Sequence, residues 1–254
     1  MLKRMRLEGE VVVVTGGGAG IGKSAAISLA ELGATVALVG RTLATLEETR
    51  SEIVAEGGVC ECFVADVSRE SDVIELASSV DAKWGRVKAI INNAGTNFRS
   101  ELADLSTEKW REINAANLDS VFFMCRAFIP LLLRAEGASI LNVASSFGVI
   151  GNPKMPVYCA TKGAVVNLSR QLAIDYGRKG LRVNSICPGP TLSPRVRGYI
   201  EGGQTDVRAL QAQVMLGRLA ECHEIGDVAA FLVTDASSFI NGATIVVDGG
   251  QTIN

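Results

Sequence analysis

Short apolar runs alternate with longer amphipathic segments along the whole chain. Most of these runs lack polar alternation, which is typical of strands covered by helices on both faces. We predict strands at seven positions: 11–15, 35–39, 59–65, 88–91, 138–143, 181–186 and 243–247. The segments between them have helical spacing, and repeated β-α units predict a parallel sheet with right-handed crossovers. The predicted fold class is therefore α/β, a single doubly wound domain over residues 1–254.

The regular alternation breaks at residues 188–217. A connection of this length in a compact domain is usually a lid or a binding loop. The alternative is a plain surface excursion. We expect a lid loop over a substrate here.

The amino-acid composition supports one large α/β domain and argues against some classes of binding partner. The 254 residues are 48% hydrophobic, and the net charge of −2 argues against a nucleic-acid or membrane-surface role. The six cysteines show no C-x-x-C pair, which favours free thiols in a reducing compartment. The start MLKRMRLEGE lacks a signal-peptide core, and no apolar run reaches the roughly 18 residues of a membrane span. We expect a soluble cytoplasmic protein.

The stretch VVVVTGGGAGIGKS admits two interpretations, both of which place a phosphate at a helix N-terminus. Residues 17–24 satisfy the P-loop pattern GxxxxGK[ST] of nucleoside triphosphatases. Residues 15–22 give TGxxxGxG, a turn suited to a dinucleotide pyrophosphate, although the strict GxGxxG pattern is absent.

Neighbouring residues favour the dinucleotide and leave the P-loop open. Asp66, which ends CFVAD, supplies the acid that a P-loop enzyme needs. Three consecutive glycines at 16–18, however, suit a backbone that approaches a pyrophosphate closely. If the helix begins near Gly20, Lys23 lies in its first turn and need not face the ligand.

The turn after the second strand bears on the kind of dinucleotide. An acid there binds the free 2′-hydroxyl of NAD, whereas an arginine accommodates the 2′-phosphate of NADP. This chain has Gly40 and Arg41 and no acid. We therefore predict that NADP(H) is favoured and that use of NAD(H) is possible, with a solvated surface arginine as the alternative.

Candidate chemistry follows the fourth and fifth strands. Asn92, Asn93 and Gly95 stand at a strand's carboxyl end, where open α/β sheets bind ligands. Tyr158 and Lys162 are four residues apart and share a helix face, and Ser145 lies 13 residues before the tyrosine. Together these groups indicate a proton-transfer site.

The pairing of a phenol with an ammonium suggests how the tyrosine becomes active. A phenol with pKa near 10 is a poor base at neutral pH. An ammonium about 4 Å away favours phenolate by roughly 4 kcal/mol before desolvation opposes it. We expect Lys162 to bring the pKa of Tyr158 toward the working pH, with Ser145 holding the substrate oxygen.

These motifs together resemble the classical short-chain dehydrogenase/reductase family over nearly the whole chain. They are TGGGAGIG at 15–22, NNAG at 92–95, Ser145, YCATK at 158–162 and PG at 188–189. The resemblance implies a Rossmann fold, with a pyrophosphate rather than a triphosphate at the glycines. It also implies an NAD(P)-dependent oxidoreductase that interconverts a carbonyl and a secondary alcohol by hydride transfer. On the same resemblance we expect a homotetramer.

The family's catalytic residues map onto Asn117, Ser145, Tyr158 and Lys162, with Asn117 preferred over Asn114 for a proton relay behind the lysine. No metal site is expected, and His223 is interpreted as structural. Ser193 departs from the family's usual threonine at that position. The predicted cofactor contacts are Gly16, Gly18, Gly20, Ile21, Gly22, Arg41, Asp66, Val67, Asn93, Ala94, Gly95, Tyr158, Lys162, Pro188, Gly189, Thr191 and Ser193.

The substrate is left open by the sequence. Segments of the chain resemble enzymes of gluconate-type polyols, of bicyclic ketones such as tropinone, and of 3-oxoacyl carrier proteins. The lid arginines Arg195, Arg197 and Arg208 give a slight basic excess that suits an anionic substrate, or simply a solvated loop. A non-enzymatic NADPH sensor is a further alternative, which the presence of all four catalytic groups disfavours.

Overall fold

A parallel sheet of seven strands forms the centre of the molecule in the computed structural model, which describes residues 2–253. The strands are β1 Val11–Thr15, β2 Thr35–Gly40, β3 Val59–Val64, β4 Ala89–Asn92, β5 Ser139–Val143, β6 Arg182–Pro188 and β7 Thr244–Val247. Their order is β3-β2-β1-β4-β5-β6-β7. Every predicted strand is present, and the doubly wound α/β fold is confirmed.

Helices connect the strands. They are α1 Gly20–Glu31, α2 Leu43–Ala55, α3 Glu70–Trp84, α4 Thr107–Asn114, α5 Ser120–Leu132, α6 Pro156–Tyr176, α7 Pro194–Glu201, α8 Val207–Gln211 and α9 Cys222–Val233. A π-helical turn, Ala115–Asp119, joins α4 to α5. Single 3₁₀ turns stand at Leu2–Arg4, Leu102–Asp104, Ser146–Gly148, Gly177–Lys179, Asp235–Ser237 and Gln251–Ile253.

The sheet has a hydrophobic layer on each face, because successive strand residues point to opposite sides. Val12 and Val14 pack with α1, α2 and α9, whereas Val13 between them packs with α3, α5 and α6. All three valines are fully buried. Burial on both faces explains why β1 reads as an uninterrupted apolar run in the sequence.

The strand order reverses between β1 and β4. The chain crosses from β1 outward to β2 and β3, then returns to place β4 on the other side of β1. Connections diverge at this point and leave a crevice outside the carboxyl ends of the strands. The predicted functional motifs all lie along this edge.

The predicted lid loop is more ordered than the sequence indicated. Residues 188–217 contain the two short helices α7 and α8. Thr191 pairs with Ala220 as an isolated bridge, which anchors the segment beside β6. Proline at the N-terminus of α7 and the Ser193 cap allow a helix within a stretch whose composition is typical of a loop.

One continuous helical segment, Thr107–Leu132, is long and apolar enough to cross a membrane by length and composition alone. Half of its most apolar window is buried inside the protein. The buried side chains of α5, among them Phe128 and Leu132, belong to the core layer shared with α3 and α6. Core helices commonly pass this test.

Candidate active site

The glycine turn between β1 and α1 presents backbone N–H groups to the crevice. Gly16 and Gly20 adopt φ values of +66° and +57°, which L side chains rarely adopt. The first amides of α1 have no acceptor in the helix, so they and the helix dipole favour an anion. The turn therefore has the donor set that a dinucleotide pyrophosphate requires.

The P-loop interpretation does not fit this geometry. Lys23 Nζ lies 2.7 Å from Glu52 Oε1 on α2, directed away from the turn. A P-loop lysine must instead reach the phosphates.

Two predicted contact residues support the turn from behind. A Cβ on Gly22 would lie 2.3 Å from the Gly16 carbonyl oxygen, and one on Gly18 would lie 2.6 Å from Thr45 Oγ1. Neither glycine is on the wall of the crevice. Both are required for close packing of the backbone, and direct contact of these two glycines with a cofactor stays a prediction.

A cavity of about 610 Å³, the glycine-side cavity, lies against this turn. Its wall includes Gly16, Gly20, Arg41, Asp66 and Val67. Partial burial raises the pKa of Asp66, but hydrogen bonds from Ser68 and the charge of Arg41 outweigh it, so the pKa lies below its ordinary value. Arg41 is exposed at the far end from the catalytic residues.

The NNAG segment is tied to the glycine turn by hydrogen bonds. Thr15 Oγ1 accepts from the backbone N–H groups of Asn93 and Ala94 at 2.9 and 3.0 Å. Asn93 Nδ2 donates to the Thr15 carbonyl oxygen at 3.0 Å. Because these hydrogen bonds join the NNAG segment to the start of the glycine turn, the two motifs form one rigid wall of the crevice.

Asn92 points the other way, into the protein. Its Nδ2 donates to Asn142 Oδ1 at 2.8 Å, and Asn142 Nδ2 donates to Ser169 Oγ at 2.8 Å. All three side chains are buried. This chain of amides fixes β4, β5 and α6 relative to one another.

The predicted triad comes together at the end of β5. Ser145 and Lys162 are buried, and Tyr158 is half-buried on the same face of α6 as the lysine. Lys162 Nζ donates to the Val143 carbonyl oxygen at 2.8 Å and lies 5.8 Å from the Tyr158 ring centroid. A Cβ on Gly148 would lie 2.8 Å from the Lys162 carbonyl oxygen, so this glycine permits the close approach.

The expected effect of Lys162 on the tyrosine is corrected. Burial raises the pKa of Tyr158 above its ordinary value, although the nearby Ser145 hydroxyl and the charge of Arg195 lower it. Burial lowers the pKa of Lys162 to about 8. Desolvation is the largest cause of both shifts, an opposing effect that the sequence argument names but gives too little weight.

Asn117 is fully buried in the π-helical turn and does not line the crevice. Its Oδ1 accepts from the Thr96 N–H at 2.8 Å, and its Nδ2 donates to the Thr96 carbonyl oxygen at 2.9 Å. A Cβ on Gly95 would lie 3.0 Å from Asn117 Oδ1 and 3.5 Å from Lys162 Nζ. The side chain thus stands directly behind the lysine, whereas Asn114 bonds only to Trp110 of its own helix.

A second cavity, the tyrosine-side cavity, has a volume of about 480 Å³ and contains Ser145, Tyr158 and Lys162 in its wall. Six residues line both cavities: Ile21, Asn93, Gly95, Thr96, Ser193 and Arg195. The two cavities are therefore adjacent parts of one crevice, and the triad lies in the tyrosine-side part.

The segment after β6 borders the tyrosine-side cavity with Pro188, Gly189, Thr191 and Ser193. The hydroxyl of Ser193 accepts from the Val196 N–H at 3.3 Å and caps α7. A Cβ on Gly189 would lie 2.6 Å from Asp248 Cα, so a glycine is needed there. The predicted residues are at the crevice, but the Ser193 side chain is engaged in capping.

Sequence reasoning missed part of the tyrosine-side wall. Arg99, Asn152, Met155 and Tyr199 line it from loops and from α7. Only three-dimensional packing brings these segments together, and no spacing in the sequence signals it. Lys154 offered a faint local clue, since its φ of +59° is rare outside glycine and fixes the loop beside Asn152.

Comparison with known proteins matches residues 16–252 to the family described as enoyl-(acyl carrier protein) reductase. The 2-(S)-hydroxypropyl-CoM dehydrogenase 3 of Xanthobacter autotrophicus is 35% identical over 97% of this chain and 98% of that protein. Meso-2,3-butanediol dehydrogenase of Serratia marcescens is 36% identical over 98% of this chain and 96% of that protein.

A similar solved structure is that of a Beutenbergia cavernae protein provisionally named an NAD(P)-dependent gluconate 5-dehydrogenase, with NADP bound at low occupancy. It is 32% identical, has a TM-score of 0.91, and is matched over 99% of this chain and 100% of that one. All three proteins are matched over nearly their full lengths, so the likeness spans the whole chain and is not confined to the glycine turn.

Proposed function

The chain belongs to the classical short-chain dehydrogenase/reductase family and is an NAD(P)-dependent oxidoreductase of CH–OH groups, and from this premise we propose its mechanism, cofactor preference and assembly. Tyr158 is the general acid–base, Ser145 orients the reacting oxygen, and Lys162 supports both the tyrosine and the cofactor. Asn117 acts behind Lys162. NADP(H) is the preferred cofactor.

The observation that carries the mechanism is the position of the triad in the tyrosine-side cavity, which shares six wall residues with the glycine-side cavity. Gly95 and Ser193 line both cavities, so they would border a dinucleotide that extends from the glycine-side cavity toward the triad. The bound nicotinamide supplies or accepts the hydride. A substrate in the tyrosine-side cavity would meet Tyr158 and Ser145, which line it.

The proton balance follows from the protonation state of Tyr158. Because burial raises its pKa, the phenol keeps its proton at neutral pH and is ready to donate it. In reduction, the carbonyl carbon gains a hydride and the carbonyl oxygen takes the Tyr158 proton, leaving a phenolate that the Lys162 ammonium stabilises. Oxidation of the alcohol reverses these steps.

The preference for NADP(H) rests on Arg41. The guanidinium lines the glycine-side cavity, and Gly40 before it offers no carboxylate to bind the ribose hydroxyls of NAD. An arginine makes paired, charge-assisted bonds to a phosphate, each worth about 1.5–3 kcal/mol. Exposure weakens them, so we expect roughly ten- to several-hundred-fold discrimination.

The test is a panel of ketones, secondary alcohols, polyols and sugar acids, followed by absorbance at 340 nm with each cofactor. We expect turnover and a higher kcat/KM with NADP(H). Arg41→Ala should lower the NADP/NAD ratio, whereas Arg208→Ala, another exposed arginine, should not. Wild-type preference for NAD, or an unchanged ratio in Arg41→Ala, would overturn the cofactor assignment.

The same proposal includes a single catalytic domain over 1–254, closed by residues 188–217, in a cytoplasmic homotetramer. The lid role is supported by Tyr199 and Leu210, which border the tyrosine-side cavity. Assembly is supported by exposed apolar side chains near the β7 edge, Ile174, Phe239 and Val246. A monomer mass from light scattering at micromolar concentration would contradict the tetramer.

A further inference from the structure

Two arginines from different segments line the tyrosine-side cavity. Arg99 comes from the loop after β4, and Arg195 from the first turn of α7. Arg195 Nη2 donates to the Gly95 carbonyl oxygen at 3.2 Å, which holds the guanidinium beside the triad. With Lys162, the wall therefore carries three cationic side chains.

No carboxylate balances these cations within the described chain. The cavity wall, as formed by residues 2–253, contains no aspartate or glutamate. The ion pairs of the same residues leave Arg99 and Arg195 without an acidic partner. Glu101, two residues from Arg99, pairs with Lys154 instead. An anion that enters this cavity therefore meets cationic side chains and no carboxylate among its described wall residues.

The other lid arginines do not share this position. Arg197 pairs with Glu221 at 3.0 Å and donates to the Leu192 carbonyl oxygen, outside the cavity. Arg208 is exposed on α8 and is absent from the wall. The positive charge at the cavity is thus local to Arg99 and Arg195 rather than a general property of the lid.

We propose that the substrate carries a carboxylate, which Arg99 and Arg195 bind while its hydroxyl or carbonyl carbon lies at Tyr158. This inference rests on the proposed function and names the class of compound that the reaction uses. The guanidinium fork matches the two carboxylate oxygens, and the pair of arginines fixes which end of the molecule faces the tyrosine. The cavity of about 480 Å³ also receives the nicotinamide, so the substrate is a compact hydroxy acid or oxo acid.

The experiment compares acids with uncharged partners of the same carbon skeleton. 3-Hydroxybutyrate is paired with 3-hydroxybutyramide, and gluconate with sorbitol, each assayed with NADP⁺ and with NAD⁺. We expect an acid to have a kcat/KM at least about tenfold above that of its partner, since a charge-assisted bond is worth that factor or more. Raising the ionic strength should raise KM for the acid and leave KM for the partner unchanged.

Single substitutions show which arginines bind the carboxylate. Arg99→Gln is expected to raise KM for the acid about tenfold while leaving the uncharged partner unaffected. Arg195→Gln should also raise KM for the acid about tenfold. Because Arg195 lines both cavities and its charge lowers the pKa of Tyr158, this variant is judged by the ratio of kcat/KM for the acid to that for the uncharged partner, with KM for the cofactor measured separately. Arg208→Gln, which removes an equal charge outside the wall, should change neither compound.

The outcomes separate the two levels of the proposal. Turnover of uncharged compounds as well as or better than their acids would overturn the carboxylate and leave the oxidoreductase mechanism standing. An acid preference that survives in both Arg99→Gln and Arg195→Gln would also overturn it. Absence of turnover for these compounds and for the whole panel of ketones, secondary alcohols, polyols and sugar acids, with both cofactors, would contradict the proposed function itself.

Discussion

Two walls of the same crevice are built in different ways. The wall that carries the triad is fixed by buried hydrogen bonds, such as Asn92 to Asn142 and Lys162 to the Val143 carbonyl oxygen. The opposite wall, the lid, rests on exposed contacts, such as the Arg197–Glu221 pair. The side chains of the triad, which we propose move protons, are held rigidly. The lid side chains, which we propose contact the substrate, lie on a surface where substitutions cost little stability.

This difference separates the common chemistry from the choice of substrate. A buried amide cannot be lost without leaving its partner unpaired, so the catalytic wall resists substitution. An exposed ion pair contributes little, and the lid can exchange side chains at small cost in stability. The relatives named above, a 2-(S)-hydroxypropyl-CoM dehydrogenase and a meso-2,3-butanediol dehydrogenase, fit a scaffold of this kind.

The largest effect is expected at Tyr158 on the rigid wall. Tyr158→Phe keeps the ring and removes only the transferable proton, so kcat should fall by about 10²–10⁴-fold. Cofactor affinity, measured by fluorescence titration, should stay nearly unchanged. Tyr176→Phe, on the same helix outside the crevice, is the matched control and should retain wild-type kcat. Activity of Tyr158→Phe within tenfold of wild type would remove this residue from the acid–base role.

The buried amides of the same wall should dominate its stability. Asn142→Ala removes a partner from both Asn92 Nδ2 and Ser169 Oγ, and Asn92 Oδ1 already has none among the described residues. We expect a loss of about 2–5 kcal/mol in the free energy of unfolding. Urea denaturation at one fixed protein concentration measures it. A loss below 1 kcal/mol would show that buried bonding is not what makes this wall rigid.

The rigid wall is also the part that the sequence predicted best. Seven apolar runs gave the strands, and the spacing from Ser145 to Lys162 brought the triad together, because both depend on local periodicity. The predicted lowering of the Tyr158 pKa was wrong, because this pKa depends on how much water the folded protein excludes and burial raises it. Local pattern predicts position, and only the packed structure shows solvation.

The lid was predicted least well. Arg195 and Arg197 look equivalent in sequence, but two residues on a helix are about 200° apart and face opposite sides. One lines the tyrosine-side cavity and the other pairs with Glu221. Arg99 is nearly a hundred residues from α7, so no spacing links them. Long-range packing therefore decides the substrate wall.

The pH dependence sharpens the comparison at Lys162. Its pKa of about 8 means that the ammonium is present below that pH and is lost above it. We expect kcat/KM for the cofactor, which reports the free enzyme, to fall as the pH rises through about 8. Lys162→Arg keeps a cation at every pH, so its profile should lack this limb whatever its residual rate. A limb that persists in Lys162→Arg would assign the titration to another group.

The smallest effect is expected at the lid ion pair, which makes it the sharpest check on the contrast between the walls. Arg197 and Glu221 are about half exposed, at 52% and 46% of their side-chain surface, so water screens their attraction. Arg197→Ala should therefore lower the free energy of unfolding by no more than about 1 kcal/mol. Because Arg197 is outside the tyrosine-side cavity, KM for a carboxylate substrate should also stay within about twofold of wild type. Glu221 retains its capping interaction with the N-terminus of α9, so the neighbouring helix is not disturbed by the change.

Urea denaturation and steady-state kinetics on one preparation measure both the stability loss and the KM of Arg197→Ala. A stability loss as large as that of Asn142→Ala would mean that the lid is as firmly built as the catalytic wall, and the separation of rigid chemistry from adaptable recognition would no longer hold.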